Sequence, residues 1–149
     1  MHSQFIAALG AMQLTLWLLA CGPVLMFPGG ELDGELVSPP TDWSFSDETS
    51  TIQLETRPDD PYSVNVWVVG LGPVLYLHAG AKRSTWVELV EAHPNVRVRV
   101  GEKLYELRGT RVADQAEFTR VADAWERKYD IRFRNENAAE AYVFRLEMR

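Results

Sequence analysis

Between residues 51 and 147 apolar and polar residues alternate in short runs broken by turn residues, and that two-residue period confines the chain to paired β-strands. Residues 51–56, 63–71 and 74–79 read as the first three strands. A basic loop follows, Ala79-Gly80-Ala81-Lys82-Arg83-Ser84-Thr85-Trp86, and it opens a short helix that stops at Ala92-His93-Pro94. A hairpin over 96–100 and 104–112 turns at Gly101-Glu102. Together these elements describe a small barrel with an anion site at its rim, because cations and hydroxyls meet the free N–H groups of a helix start.

The faces can be assigned residue by residue. Ile52, Leu54 and Thr56 share one side of their strand, and Val64, Val66 and Val68 one side of the next. Arg57-Pro58-Asp59-Asp60-Pro61 is a turn, since proline fixes φ and the acids favour turn geometry. Gly70-Leu71-Gly72-Pro73 closes the following hairpin. Thr85-Trp86-Val87-Glu88 has the spacing of a capping box, and Trp86, Leu89 and Val90 give its helix an apolar stripe. Asp114 caps a longer helix to about Tyr129, with Phe118, Val121, Ala122, Trp125 and Tyr129 inward and Glu117, Arg120, Asp123 and Arg127 outward. Residues 142–147 read as a last strand. About six strands with two helices make a mostly β antiparallel barrel, not a βαβ fold.

Charge narrows the partners. The net charge is −6 over 149 residues, yet all 15 Lys and Arg lie at Arg57 or later. Seven of the 21 acids precede Arg57, so the barrel region is close to neutral and lacks the basic surplus that nucleic-acid binding needs. With 46% hydrophobic residues it has material for a core.

The one cysteine, Cys21, excludes an internal disulfide and an all-cysteine metal site. Its setting resembles a bacterial lipoprotein signal: an uncharged apolar run from Phe5 to Ala20, then Leu18-Leu19-Ala20-Cys21-Gly22. On that reading residues 1–20 are a signal segment and lipidated Cys21 holds the domain at a bilayer of the bacterial cell envelope. Gly22 is compatible with the outer membrane of a Gram-negative cell. Met1-His2-Ser3-Gln4 carries no Lys or Arg, and the apolar run continues to Phe27, so an uncleaved inner-membrane helix is the alternative. A misassigned start on a cytoplasmic protein is the third. Residues 21–50 read as lipidated N-terminus and acidic Pro/Gly linker, with 28–40 a stalk unable to bury a face, and 51–149 as the folded domain. Trp43 and Phe45 either seat this linker on the barrel or form a ligand lid, packing being the default for aromatics.

Thr56-Arg57, Val64-Asn65-Val66-Trp67-Val68-Val69, Gly80-Ala81-Lys82-Arg83-Ser84-Thr85-Trp86 and His93-Pro94-Asn95-Val96-Arg97-Val98, in this order, resemble the split β-barrel superfamily of flavin-binding proteins. This is the pyridoxamine-phosphate-oxidase-like fold, and the likeness is to its deazaflavin-dependent nitroreductase and quinone reductase branch. The resemblance implies a six-stranded antiparallel split barrel that works as a homodimer and binds FMN or a deazaflavin. It places the cofactor phosphate on Lys82, Arg83, Ser84 and Thr85, with Arg57 as a further contact. It runs Ser63, Val64 and Asn65 beneath the ring, and it lets Trp67 reach a ring shared across the dimer. The cofactor would carry the hydride chemistry, so no side chain need act as acid or base. Asp59 and Asp60 depart from the family pattern beside a phosphate. They and an exported address point to the alternative, a non-enzymatic envelope lipoprotein whose barrel binds partners without a cofactor.

The histidines do not make a metal site: His2 belongs to the signal segment, His93 suits a helix C-terminus and His78 reads as a barrel histidine. A Ser–His–Asp triad has no nucleophile-elbow motif to support it.

Overall fold

The computed structural model describes residues 27–80 and 83–149; the signal segment, Cys21 and Lys82 lie outside the described residues. Strands β2 (Thr51–Thr56), β3 (Tyr62–Leu71), β4 (Val74–His78), β5 (Asn95–Val100), β6 (Lys103–Arg111) and β7 (Val143–Met148) close a barrel. Their order is β6-β5-β2-β3-β4-β7, and β7 pairs back onto β6. All these pairings are antiparallel. The expected six strands are therefore present, and a two-residue strand β1 (Glu35–Leu36) adds in parallel to β6.

Alternation sorts the side chains into two cores. Leu54, Val68, Leu77, Val98, Leu107 and Leu146 point inside the barrel. Helix α1 (Thr85–Ala92) plugs one end, with Trp86, Val87 and Val90 buried in that core. The approach is close because Gly109 carries no Cβ; one placed there would meet Val90 Cγ1 at 2.7 Å. Helix α2 (Gln115–Tyr129) covers the outer face of β3, β4 and β7, burying Phe118, Val121 and Trp125 against Val69, Tyr76 and Val143.

Three details differ from the sequence expectation. The α1 cap is Ser84, one residue earlier than the capping box, and its side chain accepts no cap hydrogen bond. Glu117, placed outward by helical spacing, is buried because the Tyr76 hydroxyl donates to it at 2.9 Å and Arg145 reaches it from β7. The 28–40 stretch does not stand off as a stalk. Gly29 exchanges two backbone hydrogen bonds with Ser63, Leu32 is only 2% exposed, and β1 extends the sheet.

Beneath this strap Glu55 is 2% exposed although it lies on the outward side of β2. Its carboxylate accepts from Arg97 Nε at 2.7 Å and Nη2 at 2.9 Å, and from the Leu32 N–H. Those hydrogen bonds hold the Arg97 guanidinium above its usual pKa. Trp43 is fully buried, edge-on to Tyr105. Its segment, a 3-10 turn at Ser44–Glu48, lies against β3 where Gly70 leaves room; a Cβ there would stand 2.4 Å from the Trp43 carbonyl oxygen.

Candidate functional site

The residues singled out in sequence fall into three places. Arg57 closes the β2–β3 turn with φ 54°, accepting the Asp60 N–H at its carbonyl and pairing with Asp60 Oδ2 at 3.2 Å. It borders a small hollow with His93 and Pro94, at the C-terminal end of α1. Ser84 and Thr85 lie at the N-terminal end of that helix, about 13 Å away at 1.5 Å per residue. Arg57 therefore does not converge with the basic loop.

Ser63 is fully buried under the strap. Its hydroxyl donates to the Gly30 carbonyl at 2.7 Å, and its own N–H and C=O are both bonded to Gly29. Val64 points into the barrel core, and Asn65 lies outside, on the wall of a groove of about 880 Å³ beside the β5–β6 turn. The 63–65 stretch thus offers no row of free backbone donors at Ser63 for a ring.

In the loop, Arg83 turns back onto its own helix, paired with Glu88 at 3.4 Å and with Glu91. The Ser84 hydroxyl oxygen is buried without a hydrogen-bond partner, and Thr85 is exposed. The helix start keeps its unpaired N–H groups and hydroxyls, while the one described cation of the loop is largely neutralised.

Sequence reasoning missed the larger feature. A groove of about 1090 Å³ opens between the β4 end, the α2 C-terminal turn and the 131–142 loop, with Gly80 among its lining residues. Its wall is aromatic. The Trp67 ring, 43% exposed, stacks on Tyr129 with centroids 4.8 Å apart and planes 12° apart. Trp125 and Phe133 back this wall, with His78 stacked on Phe133 at 3.9 Å.

The stack is held from behind. The Tyr129 hydroxyl accepts the Val68 N–H at 2.9 Å and lies 2.8 Å from the Ser50 and Val68 carbonyl oxygens. Burial raises its pKa, so it remains a neutral donor. Lys128, next in the helix, donates to the Ser46 and Val68 carbonyls at 2.7 Å each, and burial lowers its pKa. Trp125 and Tyr129 were legible as packing residues, and Trp67 as packing or as a ring contact across a dimer. Their meeting depends on α2 crossing β3, which no local pattern encodes.

A planar ring cofactor fits this groove better than the Ser63 strand. The exposed Trp67 face offers a stacking surface fixed before any ligand arrives. Arg57 and Ser63 do not belong to such a site.

No family model matches the chain, and no curated protein does. Among solved structures it is similar to a candidate pyridoxamine 5′-phosphate oxidase from Listeria innocua, at 16% identity and a TM-score of 0.53, over 68% of this chain and 85% of that one. It is also similar to a candidate 5-nitroimidazole antibiotic resistance protein from Bacteroides thetaiotaomicron, at 16% identity and a TM-score of 0.53, over 67% and 73%. At these identities the likeness shows the shared split-barrel fold.

Proposed function

We propose that this chain is a split-barrel protein that binds a flavin or deazaflavin ring in the aromatic groove and belongs with reductases of the nitroreductase or quinone reductase type. The observation that carries the reading is the exposed Trp67 ring, held flat on Tyr129 at the groove wall. A bound ring would extend that stack, worth about 1 kcal/mol beyond the area it buries. The names of the two similar structures, one for a phosphorylated heteroaromatic amine and one for nitroimidazoles, support flat heteroaromatic ligands in this fold. A cofactor phosphate would take the Gly80 side of the groove, from which the sequence runs on to Lys82, Arg83, Ser84 and Thr85. When bound, the cofactor supplies hydride transfer; the side chains hold it and keep water from its face.

A second reading has its own support. Arg83 is committed to Glu88 and Glu91, and Ser63 to the strap, which suits a barrel that binds partners without a cofactor. The two separate on the full chain purified in detergent. Visible absorption as isolated, followed by titration with FMN and a deazaflavin, gives bound colour or micromolar quenching on the first reading. Absence of binding at millimolar cofactor leaves the second. Arg83→Ala should weaken FMN more than riboflavin if the phosphate lies at the loop; equal effects would move it elsewhere.

The address belongs to the same proposal: Cys21 is lipidated, and the barrel sits at a bacterial envelope membrane as a homodimer. The uncharged apolar run ending in Leu18-Leu19-Ala20-Cys21 supports it.

A further inference from the structure

How the groove chooses its ring follows from one side chain, and this inference rests on the ring-binding reading above. His78, at the end of β4, is stacked on Phe133 at 3.9 Å and edge-on to Trp125 at 5.5 Å, and it lines the groove beside Trp67. No protein hydrogen bond to either imidazole nitrogen is found among the described residues, and neither nitrogen is sealed from solvent. Both nitrogens therefore keep water at the groove wall, and a ligand's polar edge would replace that water. A polar group left open on an otherwise aromatic wall offers a ligand one directed contact.

Its protonation state suits that role. Burial lowers the His78 pKa to about 4, so at neutral pH one nitrogen donates and the other accepts. Of the charged groups around it, Arg132 is paired with Glu126 and Glu136, and Glu140 accepts from Asn135 and Asn137. Among the described residues no carboxylate is hydrogen-bonded to the imidazole to draw it into its cationic form.

We propose that His78 is the specificity-determining contact of the groove, hydrogen-bonding the polar edge of a planar heteroaromatic ligand that stacks on Trp67. The ligand class is a fused ring with an amide-like N–H and C=O edge, such as the pyrimidinedione side of a flavin. A ring system without that edge would gain the stacking alone.

The test uses the full chain in detergent, with riboflavin and 1-anilinonaphthalene-8-sulfonate as probes, one with the amide-like edge and one without. His78→Phe should weaken riboflavin at least about tenfold and shift the sulfonate dye by less than about twofold. His78→Gln, which keeps a donor and an acceptor, should bind riboflavin within about threefold of wild type. Riboflavin affinity unchanged in His78→Phe, or both probes weakened alike, would overturn the inference while leaving ring binding in place. If wild type binds no riboflavin at all, the ring-binding reading falls and takes this inference with it. Should His78→Phe fail to fold, the His78→Gln comparison decides: riboflavin lost while the dye still binds contradicts the proposal, and riboflavin retained supports it.

Discussion

Glu55 shows how little a single residue's pattern says about its surroundings. Alternation puts it outward on β2, where a carboxylate costs nothing, yet the strap covers it and only Arg97 and the Leu32 N–H make its burial tolerable. Removing the carboxylate leaves Arg97 partly covered without its partner. Glu55→Ala is therefore expected to lower unfolding stability by about 3 kcal/mol, read from the urea midpoint. A loss within error of a surface mutation would mean the strap does not seal this pair. His78 gives a pH signature of its own. Its folded pKa, about 4, lies below the ordinary 6.5, so the unfolded chain binds more protons between those values. The stabilising contribution of the neutral imidazole is complete above pH 6.5 and is lost as pH falls toward 4. Urea midpoints should thus decline over that window in wild type and decline less in His78→Phe. Identical profiles would mean that its surroundings do not hold the imidazole neutral.

At the scale of elements the hairpins were legible because each strand's period and each turn's glycine or proline agree. Gly72 and Gly101 both have positive φ at the turns assigned to them, and Asp114 caps α2 by accepting the Glu117 N–H at 2.7 Å. The Asp114→Ala change should cost about 1 kcal/mol in thermal or denaturant unfolding. What could not be read was contact between elements distant in sequence. The strap reaches Ser63 and Glu55 through isolated residues, Gly29 and Leu32, that carry no periodic signal. The groove likewise joins β3, β4 and the α2 end, and Trp125 and Tyr129 looked like ordinary core. The 43–48 segment offers a direct check on such long-range docking. Gly70→Ala would drive a Cβ into the Trp43 backbone, so a loss of about 1–3 kcal/mol is expected, together with greater exposure of Trp43. An unchanged unfolding midpoint would show that the segment yields without cost.

The whole molecule is a closed six-stranded barrel plugged by α1, backed by α2 and belted by residues 29–37. Belting brings the chain preceding the barrel onto its surface and leaves the groove on the side covered by α2. If Cys21 carries lipid, Cys21→Ser should release the protein from membranes and abolish lipid labelling; retention would favour an uncleaved helix. Ring binding by the aromatic groove is tested most directly by calorimetric titration of FMN into the full chain and into Trp67→Ala. The expected result is a micromolar Kd for wild type and a loss of at least about tenfold, 1.4 kcal/mol, in the variant. Equal affinity in both, or no heat of binding at millimolar FMN, would contradict it.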